Sequence, residues 1–380
     1  MTNSKPIILV AVIALLVGAI YFLSTPGVKK SGVTDAVTVS PSSSTTNASH
    51  AAEISEKSKK YEQAKEITTP DGFINTDGKP VTVSEFVGKK VMLVDFWTYS
   101  CINCQRTTPY LNAWYEKYKN QGLVIIGVHT PEFAFEKKYE NVKAAVAKLG
   151  IKFPVVLDND YSTWTAYKNQ YWPHKYLIDI DGYIVYDHIG EGGYEETEQK
   201  IQNALRERAT VLGESTAINQ PLTKETPSSG GAQSPETYFG ASRNQFLGNA
   251  PRSVLGDRKK LSFPKDMDLN QLYLSGDWTF ADEFAQNNSS DAGVNYLYNA
   301  QNVFFVAGAE SETVVEVLRD GNPLGAEAGA DIEKTTDGKT IVKIKEERLY
   351  KIIQDAARGV HGLKLIIQKP GLKAFTFTFG

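Results

Sequence analysis

Apolar positions fall into three regimes along the chain. The first is a single uncharged run, PIILVAVIALLVGAIYFL from Pro6 to Leu23. As a helix rising 1.5 Å per residue it would reach roughly 27 Å, close to the thickness of a bilayer core. The second regime opens with FINTDGKPVTVSEF, two short extended runs around Asp77-Gly78 that predict a hairpin. Continuous apolar runs follow, KVMLVDFW and LVIIGVH, of the kind buried on both faces of a mostly parallel sheet. Between them a helix is predicted from Cys101 to Lys119, and Val142, Val146 and Leu149 then recur at helical spacing. FPVVLD, KYLIDI and YIVYDH predict further strands, the last two a hairpin about Asp181-Gly182, before a closing helix over residues 194–209. Strand-helix-strand units ending in a hairpin predict a small α/β domain with a mixed sheet flanked by helices. In the third regime LYLSGDWTF, VNYLYNA, NVFFVAG, TVVEVLRDG, TIVKIK, RLYKII, GLKLIIQ and AFTFTFG alternate between turn residues. That spacing predicts an all-β sandwich or jelly roll.

Polar stretches divide these regimes. Residues 1–5 form a short flank, 6–23 a transmembrane anchor, 24–66 a Ser/Thr-rich flexible linker with a short helix admissible over 51–66, and 67–212 the α/β domain. Residues 213–236, rich in Pro, Gly, Ser and Thr, are expected to link it to a β-rich domain over 237–380. A cleaved signal peptide competes with the anchor reading. The run is longer than a usual signal core and no Ala-x-Ala-like site follows in STPGVKK, which favours the anchor. Lys5 before the run and Lys29 and Lys30 after it leave orientation undecided by charge.

Composition adds little beyond exclusions. At 41% hydrophobic and 11% aromatic residues the chain is globular material, and a net charge of −3 with no long basic block gives no reason to expect nucleic acid. Cysteine usage says more. The chain has two, Cys101 and Cys104, so no further disulfide can form within one molecule.

A Cys-x-x-Cys pair where a strand gives way to a helix sets the first sulfur against unsatisfied backbone N–H groups and the positive end of the helix dipole. The thiolate is favoured there. Cys101 is therefore the expected nucleophile toward a substrate disulfide, and Cys104, one turn on, the resolving thiol. Such chemistry finds its substrates on the oxidising side of a membrane, which places the folded domains outside the cytoplasm.

VDFWTYSCINC resembles the active-site strand and turn of the thioredoxin superfamily. The resemblance implies a thioredoxin-like fold for the α/β domain and a redox-active Cys101–Cys104 disulfide in place of a cofactor. It gives Asp95, six residues before Cys101, the role of accepting the resolving thiol's proton, with a strand-end salt bridge as the plainer alternative. Trp97 matches the family's active-site tryptophan, and Pro109 its helix-kinking proline. In YWPHKYLID, Pro173 stands where the family has a cis-proline, so Trp172 and Pro173 are expected to line the substrate backbone. Glu132, in HTPEF, resembles an acidic residue near the cysteines of membrane-tethered reductases, although helix capping explains it equally well. The peroxiredoxin pattern Pro-x-x-x-Thr-x-x-Cys is not completed around Cys101.

Copper delivery is the competing function, with His174 joining Cys101 and Cys104 as ligands; a zinc site would need four, and neither His129 nor His174 makes a zinc-finger spacing. The longer set FWTYSCINCQRTTPYL, GVHTPEFAFE, YWPHKYLIDIDG, ETYFGASRNQF, LSGDW and AFTFTFG is similar to the DipZ group, over roughly residues 67–380. That likeness implies a carbohydrate-binding-module-like C-terminal domain, and Tyr238, Trp278, Tyr296 and Phe304 are candidates to stack on sugar rings or, more commonly for such residues, to form core. With one hydrophobic span and no cysteine in it, the chain is expected to take electrons from a separate membrane donor of the CcdA/DsbD kind and to act on disulfide-bearing proteins. Glycan targeting with an accessory redox role stands as a further alternative.

Overall fold

The structure is a computed structural model that describes residues 44–215, 218, 220, 221, 223 and 232–380. The expected anchor over 6–23 lies outside the described residues. Among those described, no helix is long and apolar enough to cross a membrane. Residues Ala52–Gly380 form one compact unit.

The α/β half carries a six-stranded mixed sheet. Its strands are β1 (Gly72–Ile74), β2 (Val91–Trp97), β3 (Leu123–His129), β4 (Val155–Leu157), β5 (His174–Ile178) and β6 (Ile184–Ile189), in the order β1-β4-β3-β2-β5-β6. The central pairs β2–β3 and β3–β4 are parallel; β1, β5 and β6 join antiparallel. The helices are α1 (Ser44–Lys60), α2 (Ile102–Tyr118), α3 (Tyr139–Lys148), α4 (Ser162–Ala166) and α5 (Tyr194–Leu212). All seven residues of β2 are buried because both faces are covered. Val91, Leu93 and Trp97 enter one core with Cys104, Leu111 and Trp114, while Met92, Val94 and Phe96 enter the other with Tyr167 and Tyr176. The two-residue period of the strand thus sends Asp95, of the odd set, toward the cysteine side.

Two expectations require correction here. The hairpin about Asp77-Gly78 does not form: β1 pairs with β4, and the second run, Pro80 to Phe86, turns instead. Pro80 has no ladder donor, and the Glu66 carboxylate accepts from the backbone N–H of Val83 (2.6 Å) and Ser84 (3.0 Å), satisfying them locally. The tether does not stay free to residue 66 either. α1 is helical to Lys60, the Lys57 ammonium pairs with Asp179, Asp181 and Glu207, and Ala64 N donates to Gly182 O at 2.9 Å.

The β half contains β7 (Thr237–Tyr238), β8 (Arg258–Leu261), β9 (Leu272–Phe280), β10 (Ala285–Asn287), β11 (Ala292–Ala309), β12 (Thr313–Arg319), β13 (Asn322–Pro323), β14 (Glu333–Lys334), β15 (Thr340–Ile344), β16 (Arg348–Ile367) and β17 (Leu372–Phe379). In place of two separate sheets there is one 11-stranded antiparallel sheet. VNYLYNA and NVFFVAG fuse into β11, RLYKII and GLKLIIQ into β16, and register shifts at Ala300/Asn302 and Val303/Phe304 let the pair bend. β11 pairs with β17 along one stretch and with β9 along another, so β11-β17-β10-β9 closes on itself. Trp278, Tyr296 and Phe304 are buried, and the Arg243 guanidinium lies 3.6 Å from the Tyr238 ring centre. Of the aromatics offered for sugar stacking, Trp278 and Tyr296 lie in the core of the β half, whereas Phe304 and Tyr238 pack at the junction with the α/β half; strand alternation turns Phe305 into the β core and Phe304 the other way.

The halves share a core. Phe304, Val306, Leu349 and Phe375 of the β half join the cluster that holds Tyr99, Ile102, Cys104, Phe133 and Phe135. Phe375 meets Phe133 and Phe135 edge-on at 5.2 and 4.8 Å between ring centres.

Candidate active site

Cys101 is the N-cap of α2. Its backbone is extended (φ −77°, ψ 118°), and its Sγ accepts the Cys104 N–H at 3.3 Å, so one of the helix's orphan donors is spent on sulfur. Both thiols are free, Cys101 partly exposed and Cys104 buried. Cys101 Sγ also lies 3.9 Å from Trp172 O, immediately before Pro173, and the Trp172–Pro173 peptide is cis. Two segments 71 residues apart thereby meet at one sulfur. Burial, followed by the bond and charge of Cys101, pushes the Cys104 thiol well above its ordinary value.

Behind the thiols lies Asp95, 2% exposed, with no partner for Oδ1 among the described residues. Desolvation raises its pKa from 3.8 to about 7, against a smaller opposing pull from Lys175. Lys175 faces Asp95 across the β2–β5 ladder, is fully buried, and donates to Gly190 O at 2.9 Å. Its own pKa is lowered by desolvation, which outweighs the attraction of Asp95 and Cys104. A carboxyl poised near neutrality beside a buried thiol can take that thiol's proton.

Sequence reasoning missed a second buried acid. Glu136, 0% exposed, accepts at Oε1 from Ser100 N (3.1 Å) and Ser100 Oγ (2.7 Å), and at Oε2 from Glu132 N (2.7 Å) and Phe133 N (3.0 Å). Desolvation raises its pKa despite these donors. His129 is also buried, 3.4 Å from Thr98 Oγ1, with burial lowering its pKa to about 3. Neither Lys175, two places beyond Pro173, nor Glu136, seven beyond the end of β3, carries a local signal, since a charged residue in such a place reads as solvated.

Of the other expected site residues, Trp172 meets Cys101 through its backbone carbonyl alone, and the rest are placed elsewhere. Trp97 is 3% exposed and packs edge-on against His129 at 5.1 Å, so it has no open face for substrate. Trp172 is half-buried, donates to Thr130 O at 3.0 Å and packs on Trp164. Glu132 does not reach the cysteines; it binds Arg243 Nη1 and Tyr238 Oη, each at 2.8 Å, in the β half. Pro109 sits on the exposed side of α2. The copper trio does not assemble: His174 is engaged by Asn169 (2.6 Å) and Asp187 (2.9 Å), and the one gathering of three metal-type ligands among the described residues is Asp179, Asp181 and Glu207. That group is occupied by the Lys57 ammonium.

A capped, paired dithiol backed by a buried carboxyl, beside a cis-proline on a mixed sheet, defines a thioredoxin-like centre for thiol–disulfide exchange. Comparison with known proteins agrees. The family model Redoxin matches residues 59–205, and the one described as "Thioredoxin like C-terminal domain" matches residues 234–380. The chain belongs to the thioredoxin-like thiol-disulfide oxidoreductases. It is 36% identical over 136 residues to the thiol-disulfide oxidoreductase ResA of Bacillus thuringiensis, covering 35% of this chain and 73% of that protein. It is 39% identical over 264 residues to Protein DipZ of Mycobacterium tuberculosis, covering 67% of this chain. The matched part spans 37% of the length of DipZ. Among solved structures, a putative thiol:disulfide interchange protein DsbE from Chlorobium tepidum is 26% identical and covers 38% of this chain and 96% of its own, with a TM-score of 0.34.

Proposed function

We propose that this protein reduces disulfides of proteins on the extracytoplasmic side of a membrane, to which the apolar run from Pro6 to Leu23 tethers it. The observation that carries the reading is the Cys101 Sγ held at the α2 N-terminus, 3.3 Å from the Cys104 N–H, with Asp95 buried behind. The Cys101 thiolate attacks one sulfur of the substrate disulfide. A mixed disulfide forms and the other substrate sulfur leaves as a thiolate, which takes a proton from water. Asp95 accepts the Cys104 proton, and the Cys104 thiolate attacks Cys101, releasing the second substrate sulfur and closing the Cys101–Cys104 disulfide. The substrate gains two electrons and the protein loses two. A separate membrane donor of dithiol character returns them, since the chain holds no third thiol. Trp172 O and the cis Pro173 border Cys101 and offer an extended substrate segment a backbone partner. Persistence of protein disulfides outside the cytoplasm, together with the uncharged run, supports the location.

The test is a Cys104→Ala variant in native membranes. It should accumulate mixed disulfides between Cys101 and extracytoplasmic proteins, and Cys101→Ser should abolish both these adducts and insulin reduction. Adducts confined to cytoplasmic proteins, or insulin reduction surviving in Cys101→Ser, would refute the reading.

A further inference from the structure

The residue immediately before Cys101 is held by a part of the protein that the exchange chemistry does not use. Ser100 spends both its N–H and its hydroxyl on Glu136 Oε1. The other oxygen of the same carboxylate gathers the N–H groups of Glu132 and Phe133, so one buried acid bolts the redox loop to the segment after β3. That segment is gripped in turn by the β half. Glu132 Oε1 receives Tyr238 Oη and Arg243 Nη1 at 2.8 Å each, and the guanidinium stacks on the Tyr238 ring. Ala134 N donates to the Glu283 carboxylate at 2.9 Å, and Phe133 and Phe135 pack on Phe375. A second strut runs from Tyr99 Oη to Glu347 O at 3.3 Å.

We propose that the β half sets the reactivity of Cys101 through this hook, with Glu136 as the positioning residue and Arg243, Tyr238 and Glu132 as its anchor. The inference rests on Cys101 being the attacking sulfur. The contact between Sγ and the Cys104 N–H depends on the path by which the backbone enters Cys101, and Glu136 fixes that path one residue upstream, holding the Tyr99–Ser100 peptide plane and the Ser100 side chain from a site without solvent contact. Neutral interface packing alone would leave the plane where the strand end put it. A carboxylate shared by two loops instead makes the plane follow the position of the Glu132 segment. The C-terminal half is on this view part of the redox apparatus, whatever surface it also binds.

The test uses the full chain carrying Cys104→Ala, so that Cys101 is the sole thiol, and follows its alkylation by iodoacetamide between pH 5 and 10. Tyr238→Phe removes an anchor donor without changing charge; Arg243→Ala removes the cation, and Arg243→Lys restores it. Tyr238→Phe and Arg243→Ala should each move the midpoint of the profile upward by about half a pH unit and slow alkylation at pH 6.5 about threefold. Arg243→Lys should recover most of the loss, and Glu136→Gln should slow the reaction about tenfold. Profiles of Tyr238→Phe and Arg243→Ala that superimpose on the parent would overturn the proposal. So would a shift in Arg243→Ala alone, because that marks a distant charge and not a hook. If Glu136→Gln does not fold, the two junction variants decide by themselves. Insulin reduction by the unmodified protein separates the outcomes: its absence with shifted profiles defeats the proposed reduction of protein disulfides and leaves the hook intact.

Discussion

Replacing Asp95 with Asn should make the folded protein more stable at alkaline pH while slowing its chemistry. Burial raises the Asp95 pKa from 3.8 to about 7, and at about 1.4 kcal/mol per pKa unit the charged form costs the fold about 4 kcal/mol. The sign follows from proton counts. Between these two values the folded state holds a proton that the unfolded state has released, so stability falls as pH rises through the window and levels off above about 7. Asn cannot ionise and escapes the cost. It also leaves Lys175 without its opposed charge and must bury an amide where Oδ1 has no partner, so the net gain at pH 8 is set at about 2–3 kcal/mol. Chemical unfolding of the reduced protein, wild type against Asp95→Asn at pH 4, 6 and 8, reads this directly. The stability difference should grow with pH, and the release of a mixed disulfide by Cys104 should slow at least tenfold below pH 8. A variant less stable than wild type at pH 8, with a difference that does not change toward pH 4, would show that the carboxyl is not held charged at a cost.

Two further perturbations probe the scaffold. Lys57→Ala leaves the fully buried side chain of Asp179 beside Asp181 and Glu207 with no cation, and should cost about 3 kcal/mol; millimolar calcium should restore part of the melting temperature in the variant and not in wild type. Phe375→Ala empties a 2% exposed ring site between the halves and should cost about 3–5 kcal/mol in thermal or chemical unfolding, with alkylation of Cys101 altered in parallel; an intact transition midpoint would show that the junction carries no stability.

The active-site strand, the helix it feeds and the thiol pair between them were readable because their signals are local. β2 is apolar at every position but one, Cys101 stands where α2 begins, and Cys104 follows by three residues, so spacing alone brings the sulfurs together. Asp95 was legible for a related reason: a lone acid within a fully buried strand must sit in low dielectric whatever surrounds it. The β-rich character of the C-terminal half was likewise written in its alternation, although strand ends were not. VNYLYNA and NVFFVAG read as two strands because Gln301 lies between them with Asn302 next to it, yet the bulges at Ala300/Asn302 and Val303/Phe304 carry the ladder through.

What the chain could not disclose locally depends on which segments the tertiary structure juxtaposes. Glu132 and Glu136 lie four residues apart and look alike in sequence. One ends at the junction with Arg243, the other behind Ser100, because the turn of 3-10 helix over Ala134–Lys137 sends them to different sides. Lys175 is buried only because β5 pairs with β2 in a register that sets it opposite Asp95. His174, its neighbour, is turned to the other face of the sheet by the same two-residue period and so is lost to the cysteines. Charge and hydrogen-bonding capacity belong to the residue and can be read from the chain, whereas desolvation and partners belong to the place where the fold puts it. The reactivity of a buried acid or thiol is set by the second pair of quantities.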